Sequence, residues 1–182
     1  MRTKKRPALS PSRILGVNES KSFTLIEILI MIAVMVVLAA ILVIVVNPSK
    51  IAEKSRDSSR LSDLAAISTA VDLYLADNRD LNSLIAGTVY ESTAGTHKID
   101  GTGWIPLNLT TITSGTPIST LPVDPKNNKA LGFYYRFGAN PTSKTYEVDC
   151  ALESLDNTAK QSADGGNNNS RYEVGTDLTI LP

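Results

Sequence analysis

The chain has 182 residues, with 18 Lys or Arg balanced by 18 Asp or Glu, one His and one Cys. A lone cysteine excludes an intrachain disulfide and a thiol-rich metal site, and His97 has no partner at motif spacing for nucleophilic or acid-base work. The zero net charge is a cancellation, because residues 1–22 carry six basic residues and one acid while the rest of the chain carries twelve basic and seventeen acidic residues. An acidic remainder does not favour general phosphate-backbone binding, so nucleic acid is not indicated.

In chain order, the first feature is a basic leader. Arg2, Lys4, Lys5, Arg6, Arg13 and Lys21 precede an uninterrupted apolar run from Ile28 to Val46. Pro7 and Pro11 argue against a continuous leader helix. The far side of the run has Lys50, Lys54, Arg56 and Arg60 interspersed with Glu53, Asp57 and Asp63. That asymmetry predicts a cytoplasmic N-terminus and an exported C-terminal part. A basic cluster also fits a nucleic-acid arm, but next to a membrane span it reads as an orientation signal.

From Phe23 to Val46 the span would reach about 36 Å as a helix, enough to cross a hydrocarbon core of roughly 30 Å. Glu27 is its only ionisable residue, and a carboxylate there costs a few kcal/mol. It is either an end-of-helix charge reaching back to the interface or a group with a task. No A-x-A site follows the apolar run, and the small residue, Ser22, lies before it, so this is not the order of a secretory signal. Cutting after Ser22 would remove the basic leader, keep the helix, and place a free amine at Phe23 one turn from Glu27.

The run Lys21-Ser22-Phe23-Thr24-Leu25-Ile26-Glu27 resembles the class III signal of type IV pilins and of type II secretion pseudopilins. The resemblance implies cleavage before Phe23 by a prepilin peptidase, N-methylation of Phe23, and a Glu27 carboxylate that pairs with the terminal amine of a neighbouring subunit. It departs at Ser22, where the family usually has Gly. The implied fold is α+β: a long N-terminal helix, membrane-spanning in its first half, packed on a small C-terminal antiparallel sheet. The implied partners are further copies of the chain, other pilins, and an inner-membrane assembly platform driven by a separate cytoplasmic ATPase. The implied location is single-pass in the cytoplasmic membrane, then an extracellular or periplasmic filament.

The expected organisation is a leader over 1–22, a filament-core helix over 23–46, and an exported domain over 47–182. Within that domain the helix continues to about residue 82, kinked by Pro48. Leu61, Leu64, Ile67, Val71, Tyr74 and Leu75 recur at three- and four-residue spacings and predict a buried stripe. Lys54, Asp57, Arg60, Asp63 and Asp77 fall largely on other faces. The end of the helix, Leu73 to Asn78, also resembles that of pseudopilins.

Residues 83–128 form a connecting region rich in Thr, Ser, Gly and Pro. Gly101-Thr-Gly-Trp104-Ile-Pro106 predicts a turn that plants the one tryptophan on the core. Asn108-Leu-Thr110 and Asn168-Asn-Ser170 match glycosylation sequons. Leu121-Pro-Val-Asp-Pro125 predicts a stiff turn in which Asp124 caps the following residues. Its Pro-x-Asp-Pro core resembles an element that precedes the sheet in many pseudopilins.

Residues 129–182 predict the sheet. Leu131, Phe133, Tyr135 and Phe137 alternate against Tyr134 and Arg136, and Tyr146, Val148, Cys150 and Leu152 alternate against Glu147 and Asp149. Gly138 to Ser143 supplies the turn, and Cys150 is expected to be a buried small hydrophobe. A third strand over 171–174 follows a loop, residues 162–170, with several oxygen donors. Similar pseudopilins hold calcium near their C-terminus. Asp156, Asp164, Asn167 and Asp177 offer hard oxygens for it, without EF-hand spacing. The competing reading is a solvated Asn/Gly turn.

No Walker loop, G-x-S-x-G, H-E-x-x-H or paired-cysteine pattern is present, so an enzyme is not expected. The sequence therefore reads as a filament subunit of the type IV pilus kind, with a secretion pseudopilin or a monomeric membrane-anchored binding domain as alternatives. Adhesion, motility and DNA uptake are not distinguished.

Overall fold

A computed structural model describes residues 22–182, with residues 44–46 described by backbone alone. The expected leader thus lies outside the described residues except for Ser22. The chain divides into two compact units, one up to Val45 and one from Val46 to Pro182.

The first unit is helix α1, Leu25–Val46. Among the described residues its large apolar side chains are exposed. Phe23 is 67% exposed, and the large apolar residues from Leu25 to Val43 are between 45% and 84% exposed. The stretch Leu25–Val43 has a mean hydropathy of 3.1 and is long and apolar enough to cross a membrane. Fourteen Ile, Leu and Val residues lie between Ile28 and Val46. At about 0.3–0.6 kcal/mol each they favour insertion by roughly 4–8 kcal/mol, which outweighs the single carboxylate of about 3 kcal/mol near the end of the span.

One long kinked helix is not what forms. α1 stops at Val46, and a second helix, α2, runs over Pro48–Ala76. Asn47 between them is left-handed, with φ 45 and ψ 78. A residue before proline is disfavoured in the right-handed helical region, Asn tolerates the left-handed one, and Pro48 fits the first turn of a new helix. α2 also ends earlier than about residue 82. The Asp77 N–H donates to the Leu73 carbonyl, and Asn78 turns left-handed at φ 57, which closes the helix.

The second unit packs α2 against a four-stranded antiparallel sheet whose spatial order follows the chain. Its strands are β1 Tyr90–Glu91, β2 Arg136–Asn140, β3 Thr145–Cys150 and β4 Tyr172–Gly175. The fold is α+β with one apolar N-terminal helix. β1 was not visible in the sequence, because two residues carry no alternation.

The stripe on α2 is buried as expected at Leu64, Ile67, Val71 and Tyr74, against Tyr135, Phe137, Tyr146, Val148 and Cys150 of the sheet side. Cys150 is a free, buried thiol that burial pushes up in pKa. Two tyrosines bridge the layers. The Tyr135 hydroxyl donates to Asp63 at 2.8 Å, and the Tyr146 hydroxyl donates to Asp72 at 2.6 Å.

Three sequence expectations fail here. Leu131 is 62% exposed, because residues 129–131 form a 3-10 turn capped by Asn128 rather than the start of a strand. Asp57 and Arg60 are fully buried, since the stripe on α2 runs on through them at the same spacing. Glu147 and Asp149 are also fully buried, because the far face of the sheet is covered by the chain's last residues and by the loop before β4.

The connecting region supplies more of the core than one tryptophan. Ile105, Leu107, Leu109, Ile112 and Leu121 are buried with Trp104, whose indole N–H donates to the Pro122 carbonyl at 3.1 Å.

Candidate functional site

The residues singled out at the N-terminus stand together at the start of α1. Ser22 and Phe23 are non-helical and exposed, and Thr24 is the residue from which the helix begins. The Glu27 and Ile28 N–H groups both donate to the Thr24 carbonyl. Thr24 and Glu27 also form a reciprocal cap. The Glu27 N–H donates to Thr24 Oγ1 at 3.3 Å, and the Thr24 N–H donates back to Glu27 Oε2 at 3.4 Å. Both distances lie at the long end of the hydrogen-bond range.

This is the Thr-x-x-Glu capping box, which satisfies two helix-end N–H groups at once and places a carboxylate at the positive end of the helix dipole. The signal for it is present in the sequence as Thr24-Leu-Ile-Glu27, a Thr-x-x-Glu spacing directly ahead of an apolar run. Chemically the arrangement presents an exposed anion at the head of an exposed apolar rod. A cation brought to this point would compete with the Thr24 N–H for Glu27 Oε2.

The four oxygen donors suggested for calcium do not converge. Asp156 pairs with Lys54 at 2.5 Å on an exposed surface. Asp164 accepts from the Gly166 and Glu173 N–H groups, and Asp177 from the N–H and hydroxyl of Thr179. Asn167 is exposed in the loop. Among the described residues no group of three or more His, Cys, Asp or Glu side chains is placed to hold a metal ion. Asp164 and Asp177 serve the backbone of their own loops, and Asp156 pairs with a lysine of α2.

An ionic cluster that the sequence reading missed joins α2 to two loops. Arg60 Nε donates to Asp124 Oδ2 at 2.5 Å, Nη1 to Asp57 Oδ1 at 2.9 Å, and Nη2 to Glu153 Oε1 at 2.7 Å. Arg56 holds Glu153 through both its oxygens, and Lys126 adds a contact at 2.6 Å. Asp57 also accepts the Glu153 and Ser154 N–H groups, while Asp124 caps Lys126 and Asn127 as expected from the Pro-x-Asp-Pro turn. Three cations face three carboxylates, and the Phe133 ring lies 5.0 Å from Arg60 and 4.4 Å from Lys126. Burial would raise the Glu153 carboxyl, but its bonds to Arg56, Lys126 and Arg60 overcome this and lower it to about 2.

No family model, curated protein or solved structure matches this chain. The site therefore rests on its own residues. His97 lines an exposed hollow of about 400 Å³ with Asp100, whose carboxylate is taken by the N–H and hydroxyl of Thr102.

Proposed function

We propose that the chain is the precursor of a structural subunit of a type IV pilus-like filament, cut between Ser22 and Phe23 and polymerised through α1. The observation that carries this reading is the exposed apolar helix headed by one carboxylate and preceded by a basic leader with a small residue at the junction. An ordinary anchor needs the apolar length and gains from Glu27 only a helix cap. A subunit whose helices bundle gains a specific partner for it, because a terminal ammonium and a carboxylate in low dielectric attract far more strongly than in water.

In this reading Glu27 has two successive partners. In the free subunit it caps its own helix through Thr24. In the filament the amine of a neighbour's Phe23 takes the same oxygen. The Pro122-x-Asp124-Pro125 turn and the lack of a disulfide favour the secretion pseudopilin form of such a subunit as the second reading.

Two substitutions separate the roles of Glu27. Glu27→Gln keeps a capping-box acceptor and removes the charge, whereas Glu27→Ala removes both. Filaments sheared from cells expressing each variant with the assembly machinery are the readout. Loss of filaments in both variants, with normal processing at Phe23, supports charge pairing. Normal filaments from Glu27→Gln would reduce Glu27 to a helix cap. A protein that stays monomeric and unprocessed in every case would make it an anchored binding domain.

A further inference from the structure

The face of the sheet turned away from α2 carries charges rather than apolar side chains. The pairings Arg136↔Asp149, Gly138↔Glu147, Asp149↔Glu173 and Glu147↔Gly175 put Arg136, Glu147, Asp149 and Glu173 on that one face. Arg171, two residues before Glu173, joins them. Both arginines go to Asp149: Arg171 Nε donates to Oδ1 at 2.7 Å and Arg136 Nε lies 3.0 Å from each oxygen. Glu147 and Glu173 receive no cation among the described residues.

Yet both are buried, at 0% and 2% exposure. One oxygen of each is well used. Glu147 Oε2 accepts the Ile180 and Leu181 N–H groups at 2.9 Å, and Glu173 Oε2 accepts the Asn168 N–H at 3.1 Å. The other oxygen, Oε1 in both, is buried without a donor, and the register sets the two residues diagonally across β3 and β4 on the same face. Gly166 leaves room for this arrangement, since a Cβ there would lie 1.8 Å from Glu173 Oε2. Two ionised carboxylates cannot share such a site. The face holds two guanidinium groups against three carboxyl groups, with Asp164 of the loop a fourth beside them, so the site is short of positive charge.

We propose that Glu147 and Glu173 share a single proton, and that this proton latches the segment ending at Ile180–Leu181 and the loop over 162–170 onto the sheet, to be released in alkaline surroundings. Burial, then the hydrogen bond and charge of Glu173, push the Glu147 carboxyl up to about 8 against the opposing pull of the Leu181 and Ile180 N–H groups. The other charged groups facing the pair are Arg136 from β2, Asp149 from β3, Arg171 before β4, and Asp164 from the loop, which accepts the Glu173 N–H at 2.8 Å. Pro182 lies exposed at the rim, its main-chain oxygen taken by Arg136. The proton comes from and returns to solvent.

The sign follows from proton counting. A carboxyl raised from its ordinary 4.5 to about 8 holds more protons closed than open between those values, so the latch is fully favoured below the lower value. It weakens as pH rises through about 8 and changes little beyond.

Amide hydrogen exchange of the full chain in detergent micelles, corrected for intrinsic rates, tests this at Ile180, Leu181 and Asn168. Protection is expected to fall by up to about tenfold per pH unit between about pH 5 and pH 8 and then level off. In Glu147→Gln and in Glu173→Gln it is expected to be nearly flat. A flat wild-type profile, or an unchanged slope in both variants, overturns the proposal. So does protection made independent of pH by calcium chloride with release of the proton, which would make the pair a cation site. If the variants fail to fold, the carboxyl carbon-13 titration of Glu147 in the native chain decides: a midpoint near 8 supports the shared proton and one near 4.5 overturns it.

Discussion

Arg60→Met tests how the second unit, from Val46 onward, is held together. Arg60 is wholly buried and touches three carboxylates, two of them, Asp57 and Asp124, also buried. Methionine fills much of the volume but leaves those charges without their main partner, a loss of about 3–5 kcal/mol for a broken buried pair. A domain of this size has roughly 5–15 kcal/mol in total. With a urea slope of about 2 kcal/mol per molar, the midpoint should fall by about 2 M. Trp104 is the natural reporter, being the one tryptophan, 3% exposed and bonded to Pro122 two residues from Asp124. Urea unfolding of the full chain in detergent, followed by its fluorescence, gives the shift. A double-mutant cycle with Asp124→Asn, which keeps an acceptor for the Lys126 and Asn127 N–H groups, should show a coupling above about 1 kcal/mol. A shift below about 0.5 M, the size expected of a solvated surface pair, would refute the reasoning.

Two further outcomes follow from the same geometry. Glu153, held at about 2 by its cations, contributes stability that is present above the ordinary 4.5 and lost as pH falls toward 2, at most about 3 kcal/mol. Glu153→Gln should flatten that acid limb in urea titrations at stepped pH, and an unchanged limb would assign it to other groups. Gly103→Ala should destabilise the Trp104 turn by about 1–3 kcal/mol, because its Cβ would lie 2.0 Å from the Lys98 carbonyl oxygen and 2.5 Å from Leu121 Cδ1. An unshifted midpoint would show that the turn relaxes freely.

How far the sequence could be read depended on whether one rule acted alone. The apolar span, the stripe from Leu64 to Tyr74, and the alternations of Tyr135–Phe137 and Tyr146–Cys150 were legible, because a single period decides each, whereas the turn expected from Gly138 starts only at Pro141 because β2 runs on to Asn140. The helix break at Asn47 was only partly so: Pro48 announced a disturbance, but left-handed Asn47 made it an end and a new start. Asp57 and Arg60 kept the helical period yet were sorted outward by their charge, and only tertiary partners 64 to 100 residues away make their burial favourable. Glu147 and Asp149 were misplaced for a related reason. Alternation told which face they occupy, and nothing local told that the chain would return to cover it. The oxygen donors offered for calcium lie apart for another reason: Asp164 and Asp177 are taken up by nearby backbone N–H groups and Asp156 by Lys54. At the N-terminus the capping box was written in four residues, and its presence means that the exposed Glu27 already has work before any partner arrives.

The most direct test of the central claim is the intact mass and N-terminal sequence of the chain from membranes of cells with and without a prepilin peptidase. A filament precursor would be recovered as a chain beginning at methylated Phe23 only when the peptidase is present. A full-length chain under both conditions would contradict that claim and leave α1 as a simple anchor.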